Sequence, residues 1–467
     1  MQDVIFRQYD IRGKVGSELI IQDVYDLARA IATYLVAQKS SIKKIAVGMD
    51  GRTHSPAIEE QLRRGLLDSG LDVVFIGVCP TPVLYFAMHT QKFDAGILVT
   101  ASHNPKEYNG FKICLGTESV WGESVQEIKR VFREGKFLAA AHKGTYCGQS
   151  MIEPYIAWMT NHFAHVKDMK LSAVVDCGNG AAGTVLPELV ARMGWKHVTL
   201  LYPEVDGNYP NHEADPTIEK NMLDVKNILA TTDVEVGVGL DGDCDRMAAM
   251  TKAGFLVPGD QLLGLYCQKV VQDHPGAAIV FDIKSSLGLI ELLDRMGAKP
   301  CMSPSGHSII KAEMKKNNAL LGGELSCHFF FHDRYFGYDD GIYAMMRLFE
   351  LLVQTGKSLD ELLKIFPKKI SSPEYRIACP EDQKTAIVTS VKNSLMLRPD
   401  VQAITIDGVR ATMPYGWGIV RVSNTQAALT IRFESDTQDG LIRVKKDFYE
   451  VLKPYFDAQW LQQQLEL

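Results

Sequence analysis

The 467-residue chain carries 50 Lys and Arg residues against 56 Asp and Glu residues, giving a formal net charge of −6, and 46% of its residues are hydrophobic. This composition is typical of a globular protein with roughly three or four domains and excludes a disordered or fibrous chain. There is no basic surplus, no apolar run of the roughly 18–20 residues that span a membrane, and no signal-peptide pattern. We therefore expect neither a nucleic-acid partner nor a membrane partner.

The nine cysteines are scattered along the chain and form no Cys-x-x-Cys pair. Their spacing argues against a zinc ribbon and against a redox motif. Dispersed cysteines without a secretory signal indicate a reducing compartment, so we expect a cytoplasmic protein.

Short apolar runs alternate with helical patterns from the N-terminus onward. A strand is predicted over residues 45–49, followed by a helix that Ser55 is expected to cap and Pro56 to open. Two more buried strands are predicted over residues 73–78 and 95–99. This alternation is typical of layered α/β domains.

A comparable arrangement recurs twice, with predicted strands over 172–176, 234–240, 277–282 and 319–321. In each of the three segments a late strand ends in a polar loop, after Val99, Leu240 and Leu321. The recurrence favours three related α/β domains, with chance similarity among α/β units as the alternative.

The remainder of the chain has a different pattern, typical of a small α+β domain. Its predicted strands cover residues 375–379, 403–406, 419–422 and 429–433, and its predicted helices lie around 381–394 and 439–452. The predicted domains are therefore residues 1–148, 149–254, 255–368 and 369–467.

The sharpest local feature is the run Asp241-Gly242-Asp243-Cys244-Asp245-Arg246, directly after an apolar strand. Three carboxylates at alternate loop positions can converge on a hard cation such as Mg²⁺, which prefers oxygen ligands. The glycine and glutamate positions of an EF-hand are not met. A solvated acidic turn is the alternative interpretation.

Three further loops carry candidate chemistry. Ser102 follows a buried strand, where a hydroxyl can act as a nucleophile or phosphoryl carrier, and His103 and Lys112 offer proton transfer or positive charge. Each loop, taken alone, is also compatible with an ordinary polar turn. The other candidates are Glu324, Ser326 and His328 for sugar hydroxyls, Arg421, Ser423, Asn424 and Thr425 for a phosphate, and Tyr9 and Arg12 near the N-terminus.

Together these loops resemble those of the α-D-phosphohexomutase superfamily, specifically its bacterial phosphomannomutase/phosphoglucomutase branch. The similarity runs from Phe6-Arg7-Gln8-Tyr9-Asp10-Ile11-Arg12-Gly13 to Arg432-Phe433-Glu434 and includes Asp206-Gly207-Asn208-Tyr209 and Tyr338-Asp339-Asp340-Gly341. It implies an α/β fold of three related domains with mixed sheets plus a smaller α+β C-terminal domain around a central cleft. It also implies an isomerase that interconverts hexose 1-phosphates and hexose 6-phosphates of mannose or glucose.

The resemblance implies a role for each candidate residue. Ser102 would carry a phosphoryl group and share Mg²⁺ with Asp241, Asp243 and Asp245, and a hexose 1,6-bisphosphate would be the intermediate and activator. The implied catalytic residues are Ser102, His103, Lys112, Arg246, His328 and Arg12, with proton transfer left open among Lys112, His103 and His328. The implied substrate-binding residues are Tyr9, Lys284, His307, Glu324, Ser326, Arg421, Ser423, Asn424 and Thr425.

Several alternatives stay open at this point. Cys327 stands where relatives more often have glycine. His328, at the end of the same loop, favours an enzyme that acts on mannose and glucose phosphates over a member of the strictly glucose-specific branch. A phosphoglucosamine mutase, a Mg²⁺-dependent phosphatase of the haloacid-dehalogenase type using Asp241, and a catalytically silent sugar-phosphate regulator are the competing functions. The expected partners are small hexose phosphates, and the expected assembly is a monomer or a homodimer.

Overall fold

The computed structural model describes residues 1–423 and 427–467. They form two compact units: Met1–Tyr266 with Ser326–Leu363, and Cys267–Leu325 with Lys364–Leu467. Among the described residues, no helix is long and apolar enough to cross a bilayer. Helices and strands alternate in both units, as the sequence pattern predicts.

The first sheet belongs to the first unit and has seven strands. They are β1 (Ile11–Lys14), β2 (Lys44–Met49), β3 (Asp72–Val78), β4 (Ala95–Val99), β5 (Tyr108–Leu115), β6 (Glu118–Ser119) and β7 (Tyr146–Gly148). The order is β1-β5-β4-β2-β3-β7, with β6 paired to β5. Strands β2, β3 and β4 run parallel and β5 runs antiparallel to β4, so the sheet is mixed. Its helices are α1 (Val24–Gln38), α2 (Ser55–Asp68), α3 (Thr81–Thr90) and α4 (Glu123–Glu134).

The predicted capping role of Ser55 is wrong. Helix α2 begins at Ser55 itself, His54 occupies the N-cap, and Pro56 lies in the first turn as predicted. Ser55 Oγ donates to Asp50 Oδ1 at 2.6 Å. The hydroxyl therefore serves a buried carboxylate on the preceding loop instead of the free backbone N–H groups of the helix.

The second sheet also belongs to the first unit and has the order β12-β11-β10-β8-β9. Its elements are α5 (Ile152–His162), β8 (Ala173–Asp176), α6 (Leu186–Met193), β9 (Val198–Leu201), α7 (Leu223–Thr231), β10 (Val236–Leu240), β11 (Met247–Thr251) and β12 (Leu256–Val257). Strand β10 is parallel to β8 and antiparallel to β11, so this sheet is mixed too. The turn from β10 to β11 is the acidic loop.

The next segment contributes to both units. Its elements are α8 (Gly259–Asp273), β13 (Ala278–Asp282), α9 (Leu287–Met296), β14 (Lys299–Ser303), α10 (His307–Asn317), β15 (Leu321–Gly323), β16 (Phe329–Phe331), α11 (Gly341–Thr355) and α12 (Leu359–Leu362). In the second unit, β13 pairs in parallel with both β14 and β15. Strand β16 and helix α11 belong to the first unit.

The C-terminal part of the second unit is an antiparallel sheet in the order β17-β22-β21-β20-β19, with β18 paired to β22. Its elements are β17 (Ile370–Ser371), β18 (Tyr375–Ala378), α13 (Lys384–Met396), β19 (Gln402–Ile404), β20 (Val409–Met413), β21 (Gly416–Val422), β22 (Ala428–Ser435), α14 (Gln438–Leu452) and α15 (Ala458–Gln464). The predicted strands do not include β20, although apolar and polar residues alternate along it. Arg410 is buried against the Trp417 ring, with its guanidinium carbon 3.6 Å from the ring centroid.

Candidate active site

The acidic loop forms a compact, buried cluster of carboxylates. Asp241, Asp243 and Asp245 follow the fully buried strand β10, and their side chains are at most 1% exposed. One oxygen from each lies within 4.8 Å of the others. The structure therefore brings the three predicted metal ligands together, and it excludes the alternative of a solvated acidic turn.

Close backbone packing gives this loop its shape. A Cβ atom added at Gly242 would lie 2.6 Å from the carbonyl oxygen of Ser102, so only glycine fits there. Cys244 has a φ of 62°, and its N–H donates to the Asp241 carbonyl at 3.0 Å. Arg246 donates its backbone N–H and its Nε to the Asp241 carboxylate, both at 3.1 Å. The loop is thus held in one conformation before any ligand binds.

Ser102 lies directly against this cluster. It follows strand β4, is 3% exposed and has a left-handed φ of 49°. Its Oγ donates to Asp241 Oδ2 at 2.8 Å and lies 3.1 Å from Nδ1 of His103. Its N–H donates to the Thr100 hydroxyl at 2.9 Å. A hydroxyl beside a carboxylate cluster and an imidazole is suitably placed to carry a transferable group.

Two buried cations pair with the carboxylates. Lys112 Nζ donates to Asp243 Oδ2 at 2.7 Å and also contacts Asp245 Oδ2. Burial opposes the charge of this ammonium, but the neighbouring Asp243 and Asp245 raise the pKa of Lys112 overall. Arg246 lies 3.4 Å from Asp215 as well as contacting Asp241. In this structure Lys112 is therefore a protonated counter-ion of the acidic cluster.

The pKa shifts differ among the aspartates of the cluster and the neighbouring His103. Burial, followed by the charges of Asp245 and Asp243, raises the pKa of Asp241 to about 7. Burial acts in the same direction on Asp243, but Lys112 holds the pKa of Asp243 below its ordinary value. Burial, followed by the positive charges of Arg246 and Arg12, holds the pKa of His103 well below its usual range. The imidazole next to Ser102 is therefore neutral.

The donor set fits a hard divalent cation. Oδ1 of Asp243 and Oδ1 of Asp245 are buried and have no hydrogen-bond partner among the described residues. Buried carboxylate oxygens without partners are costly unless a cation compensates them. Three carboxylates with oxygen-only donors match the preference of Mg²⁺. The cluster therefore has both the geometry and the uncompensated charge of a metal site.

His328 approaches the same cluster from another loop. Its Nδ1 lies 3.2 Å from Asp339 Oδ2 and 3.7 Å from Asp245 Oδ1. A backbone bridge joins Arg246 to His328, and the N–H of Met247 donates to the Cys327 carbonyl at 3.1 Å. Cys327 has a φ of 68°, a conformation that glycine adopts more readily. The Asp339 carboxylate thus contacts the imidazole, and the backbone bridge holds the loop that carries His328.

Helix α11 begins directly behind the acidic loop. The N–H of Gly341 donates to the Cys244 carbonyl at 2.8 Å, and the Asp340 carboxylate caps the helix by accepting from the N–H of Tyr343 at 2.8 Å. A Cβ at Gly341 would lie 2.6 Å from the Arg246 carbonyl oxygen and 2.8 Å from that of Cys244. The helix can contact the loop this closely only because residue 341 is glycine.

We therefore expect Gly341→Ala to lower the free energy of unfolding by about 1–3 kcal/mol, because the added methyl group forces the acidic loop and the helix apart. Denaturant unfolding measures this loss. Gly356→Ala is the matched control, because no atom lies within 4 Å of its added Cβ and only its left-handed φ of 62° opposes alanine. Its expected cost is about 1 kcal/mol. Equal losses in the two variants would contradict the close contact at Gly341.

Arg12 and Tyr9 lie on the N-terminal segment of the same unit. Arg12 donates from Nη1 to Asn104 Oδ1 at 2.8 Å and pairs with Asp10, while its buried Nε has no hydrogen-bond partner among the described residues. Tyr9 is half-buried. The bond to Asn104 ties Arg12 to the loop that carries Ser102.

A second group of predicted residues lies in the second unit. Lys284 follows strand β13, and its Nζ lies 3.1 Å from Glu374 and 3.7 Å from Asp282. Burial opposes its charge, but these carboxylates raise the pKa of Lys284 overall. Glu324 accepts a hydrogen bond at 2.7 Å from the N–H of Gly306, the residue before His307. Glu324 and His307 therefore belong to one connected set of loops.

The predicted phosphate loop is in the same unit. Arg421 Nε donates to Asp407 Oδ2 at 2.8 Å, and this oxygen also accepts from the N–H of Ser305 at 3.2 Å. The Ser423 carbonyl accepts from Lys384 Nζ at 2.9 Å. Asn424 and Thr425, which the sequence also assigns to phosphate binding, lie outside the described residues. Ser326 is half-buried and belongs to the first unit, whereas Glu324 belongs to the second.

Two residues that shape the site, Thr81 and Asp339, are not among those predicted from the sequence. Thr81 donates its hydroxyl to Asp243 Oδ2 at 2.6 Å, and Asp339 contacts His328. No local pattern marks Thr81, because its contact joins residues 162 positions apart. Asp339 lies in the quoted Tyr338-Asp339-Asp340-Gly341 segment, which was noted only as a similarity and was given no role.

Models of four domains of one family match successive parts of the chain. The phosphoglucomutase/phosphomannomutase alpha/beta/alpha domains I, II and III match residues 3–139, 153–254 and 258–370, and the C-terminal domain of the same family matches residues 374–451. The chain belongs to the phosphoglucomutase/phosphomannomutase family. The family and the fold class inferred from the four loops are thereby confirmed, while the domain boundaries at residues 148, 254 and 368 stay predictions.

Individual members of the family are similar over almost the whole chain. A phosphomannomutase/phosphoglucomutase of Pseudomonas syringae pv. tomato is 40% identical over 97% of this chain and 96% of its own length. A phosphoglucomutase of Neisseria meningitidis is 38% identical over 98% of both chains. The crystal structure of a phosphoglucomutase/phosphomannomutase family protein from Burkholderia thailandensis has a TM-score of 0.89 at 33% identity and covers 98% of each chain.

Proposed function

We propose that this member of the phosphoglucomutase/phosphomannomutase family interconverts hexose 1-phosphates and hexose 6-phosphates of mannose, glucose or both. Phosphorylated Ser102 would donate its phosphoryl group to the free hydroxyl of the substrate, giving a hexose 1,6-bisphosphate. The bisphosphate would then reorient and return its other phosphoryl group to Ser102. The observation that carries this proposal is the 2.8 Å contact between Ser102 Oγ and Asp241 within the buried carboxylate cluster.

The residues that would hold the metal are Asp241, Asp243 and Asp245, together with the group on Ser102. A bound Mg²⁺ would neutralise charge on the transferring phosphoryl group. Arg246 supplies fixed positive charge next to Asp241, and Lys112 supplies it next to Asp243. These cations stabilise a phosphoryl group electrostatically without having to reorganise during the transfer.

His103, Lys112 and His328 are the candidates for proton transfer. A base must accept the proton of the attacking sugar hydroxyl, and an acid must return one to the leaving oxygen. His103 is neutral and touches Ser102 Oγ, whereas Lys112 is held protonated between two carboxylates. His328 is oriented by Asp339. The contacts therefore favour the two histidines over Lys112 as proton acceptors.

A separate set of residues would recognise the sugar phosphate. Glu324 would accept hydrogen bonds from sugar hydroxyls, and Lys284 and His307 would contact the same sugar. Arg421 and Ser423, with Asn424 and Thr425, would bind the phosphate that is not reacting, since a guanidinium and hydroxyl donors suit phosphate oxygens. Ser326 and Tyr9 complete the proposed binding residues. We expect the enzyme to act in the cytoplasm, as a monomer or a homodimer.

A coupled assay tests the proposal. Purified enzyme with Mg²⁺ and a trace of hexose 1,6-bisphosphate is supplied with mannose 1-phosphate, glucose 1-phosphate or glucosamine 1-phosphate, and formation of the 6-phosphate is followed. Turnover of mannose or glucose phosphate is the expected result. A clear preference for glucosamine 1-phosphate would support the phosphoglucosamine mutase alternative instead.

The same assay separates the remaining alternatives. Release of inorganic phosphate without an isomeric product would identify a Mg²⁺-dependent sugar phosphatase. Binding of hexose phosphates without any turnover would identify a regulator. Either result would overturn the proposed mutase activity.

A further inference from the structure

Arg52 is a buried cation that the proposed reaction does not use. It lies in the loop between strand β2 and helix α2, and its side chain is fully buried. An arginine has five N–H donors in a planar fork. In this structure all five are engaged.

The acceptors lie almost entirely on the loop that carries Ser102. Nη2 donates to the carbonyls of Ser102 at 2.8 Å and Asn104 at 2.6 Å. Nη1 donates to the carbonyls of Pro105 at 2.7 Å and Tyr108 at 3.1 Å. One guanidinium thus fastens four carbonyls within a segment of seven residues. The remaining donor, Nε, pairs with Asp50 Oδ2 at 3.2 Å.

These bonds bear directly on the position of the Ser102 hydroxyl. Ser102 has a left-handed φ of 49°, which is unfavourable for a residue with a side chain unless its surroundings hold it. Its carbonyl is held by Arg52 on one side and lies so close to Gly242 that a Cβ there would be 2.6 Å away. The guanidinium therefore holds the backbone of Ser102 in contact with the acidic loop.

Arg52 is itself rigidly supported. Asp50 accepts from the backbone N–H of Arg52 at 3.0 Å as well as from its side chain and from Ser55. The ring of Tyr209 lies over the guanidinium, with its centroid 5.3 Å from Cζ. A support of this kind fixes the direction of the fork and allows it to act as a template for the loop.

We propose that Arg52 is a positioning residue that sets the conformation of the Ser102 loop and so the distance between Ser102 Oγ and Asp241. This inference rests on the proposed phosphoryl transfer at Ser102. Lysine cannot replace arginine here, because an ammonium has three donors around one atom and cannot reach four carbonyls and a carboxylate. The role is conformational, since no N–H of Arg52 is left to contact a substrate.

The test compares Arg52→Lys with the wild type in two measurements. In steady-state assays we expect kcat to fall about 100-fold while KM changes less than about threefold, because misplacing a reacting group by about 1 Å costs roughly this factor in rate. In hydrogen exchange followed by mass spectrometry, we expect peptides covering residues 100–112 to exchange at least about tenfold faster, with the rest of the first sheet unchanged. The second measurement does not depend on any enzymatic activity.

Arg347→Lys is the matched control. Arg347 is a buried arginine of the same unit that pairs with Asp333 and Glu350 and is not among the groups hydrogen-bonded to the Ser102 loop. We expect this variant to lose stability while keeping kcat and the exchange of residues 100–112. A matching fall of kcat in both variants would show a general effect of losing a buried guanidinium and would overturn the proposal.

The remaining outcomes also decide the question. Unchanged kcat in Arg52→Lys overturns the proposal, whether or not the loop exchanges faster. If the wild-type enzyme shows no mutase activity but the peptides of the Ser102 loop still exchange faster in Arg52→Lys, the proposed function fails. The inference that Arg52 holds the conformation of the loop then stands.

If Arg52→Lys does not fold, Asp50→Asn takes its place. This variant removes the charge that orients Arg52, and we expect a kcat loss of about tenfold with faster exchange in the same peptides. If Asp50→Asn shows neither the loss of kcat nor the faster exchange, the proposal is overturned.

Discussion

Replacing Ser102 by alanine is expected to lower kcat at least about 10⁴-fold, because the variant has no oxygen to carry the phosphoryl group. The loss follows from geometry as well as chemistry. Ser102 Oγ donates to Asp241 and lies beside His103, and alanine offers neither contact. The change removes one buried hydroxyl and leaves the backbone contacts of residue 102 in place, so we expect the fold to persist.

Intact-mass measurement tests the same variant independently of turnover. Wild-type enzyme incubated with hexose 1,6-bisphosphate is expected to gain one phosphoryl group, and Ser102→Ala is expected to gain none. Ser394→Ala is the control, since Ser394 is an exposed serine on helix α13 whose hydroxyl donates to the carbonyl of Ser390. Phosphorylation of the Ser102→Ala variant on Asp241 would contradict the mutase mechanism and support the phosphatase alternative.

Replacing Asp243 by asparagine is expected to lower kcat at least about 10³-fold, the scale of losing a preorganised charge at a reacting centre. Asparagine keeps the shape of the side chain but removes the charge that faces Lys112 and the unpartnered oxygen that we assign to the metal. The effect on folding is smaller. Loss of the ion pair with Asp243 is costly for the buried Lys112, but Lys112 still pairs with Asp245. The substitution also removes one of three mutually repelling carboxylates. We therefore expect the free energy of unfolding to change by less than about 3 kcal/mol.

Metal-dependent stability separates the two effects of this variant. A cation that binds only the native state stabilises it by an amount that grows with the ratio of free cation to Kd, so the Tm of the wild-type enzyme should rise with Mg²⁺ and fall again with a chelator. Asp243→Asn should show little or no response to Mg²⁺. Asp233→Asn, a change at an exposed aspartate of the same unit, should respond like the wild type. An undiminished response in Asp243→Asn would show that the metal is held elsewhere.

The grouping of the three aspartates could be predicted from the sequence because it is local. Asp241, Asp243 and Asp245 are separated by single residues after one apolar strand, and such a loop can converge on a cation in almost any α/β context. Their burial at 0%, 0% and 1% exposure shows that the three side chains lie in the protein interior, and cation binding there stays a prediction. The position of Ser102 after strand β4 was readable for the same reason, since it depends only on where a buried strand ends.

The contacts that assemble these loops were not predictable in the same way. Ser102 and Asp241 are 139 positions apart, and Arg52 reaches carbonyls from residue 102 to residue 108. Every residue has a backbone carbonyl, so a hydrogen bond to a carbonyl cannot be inferred from the residue type of the acceptor. The capping role assigned to Ser55 failed for a different reason. Asp50 lies only five positions earlier, and the residue types alone did not indicate that the Ser55 hydroxyl donates to this carboxylate instead of capping the helix.

The sequence alone determined the alternation of strands and helices, the family and the residue types that carry the chemistry, because each depends on local periodicity or on motifs within a few residues. Tertiary structure decided how those groups are used. Packing buries the carboxylate cluster and pairs Lys112 with two of its members. Among the residues that the structure describes, it leaves one oxygen each of Asp243 and Asp245 without a hydrogen bond. Burial and long-range contacts set charge states and distances, and neither is a property of any short stretch of chain.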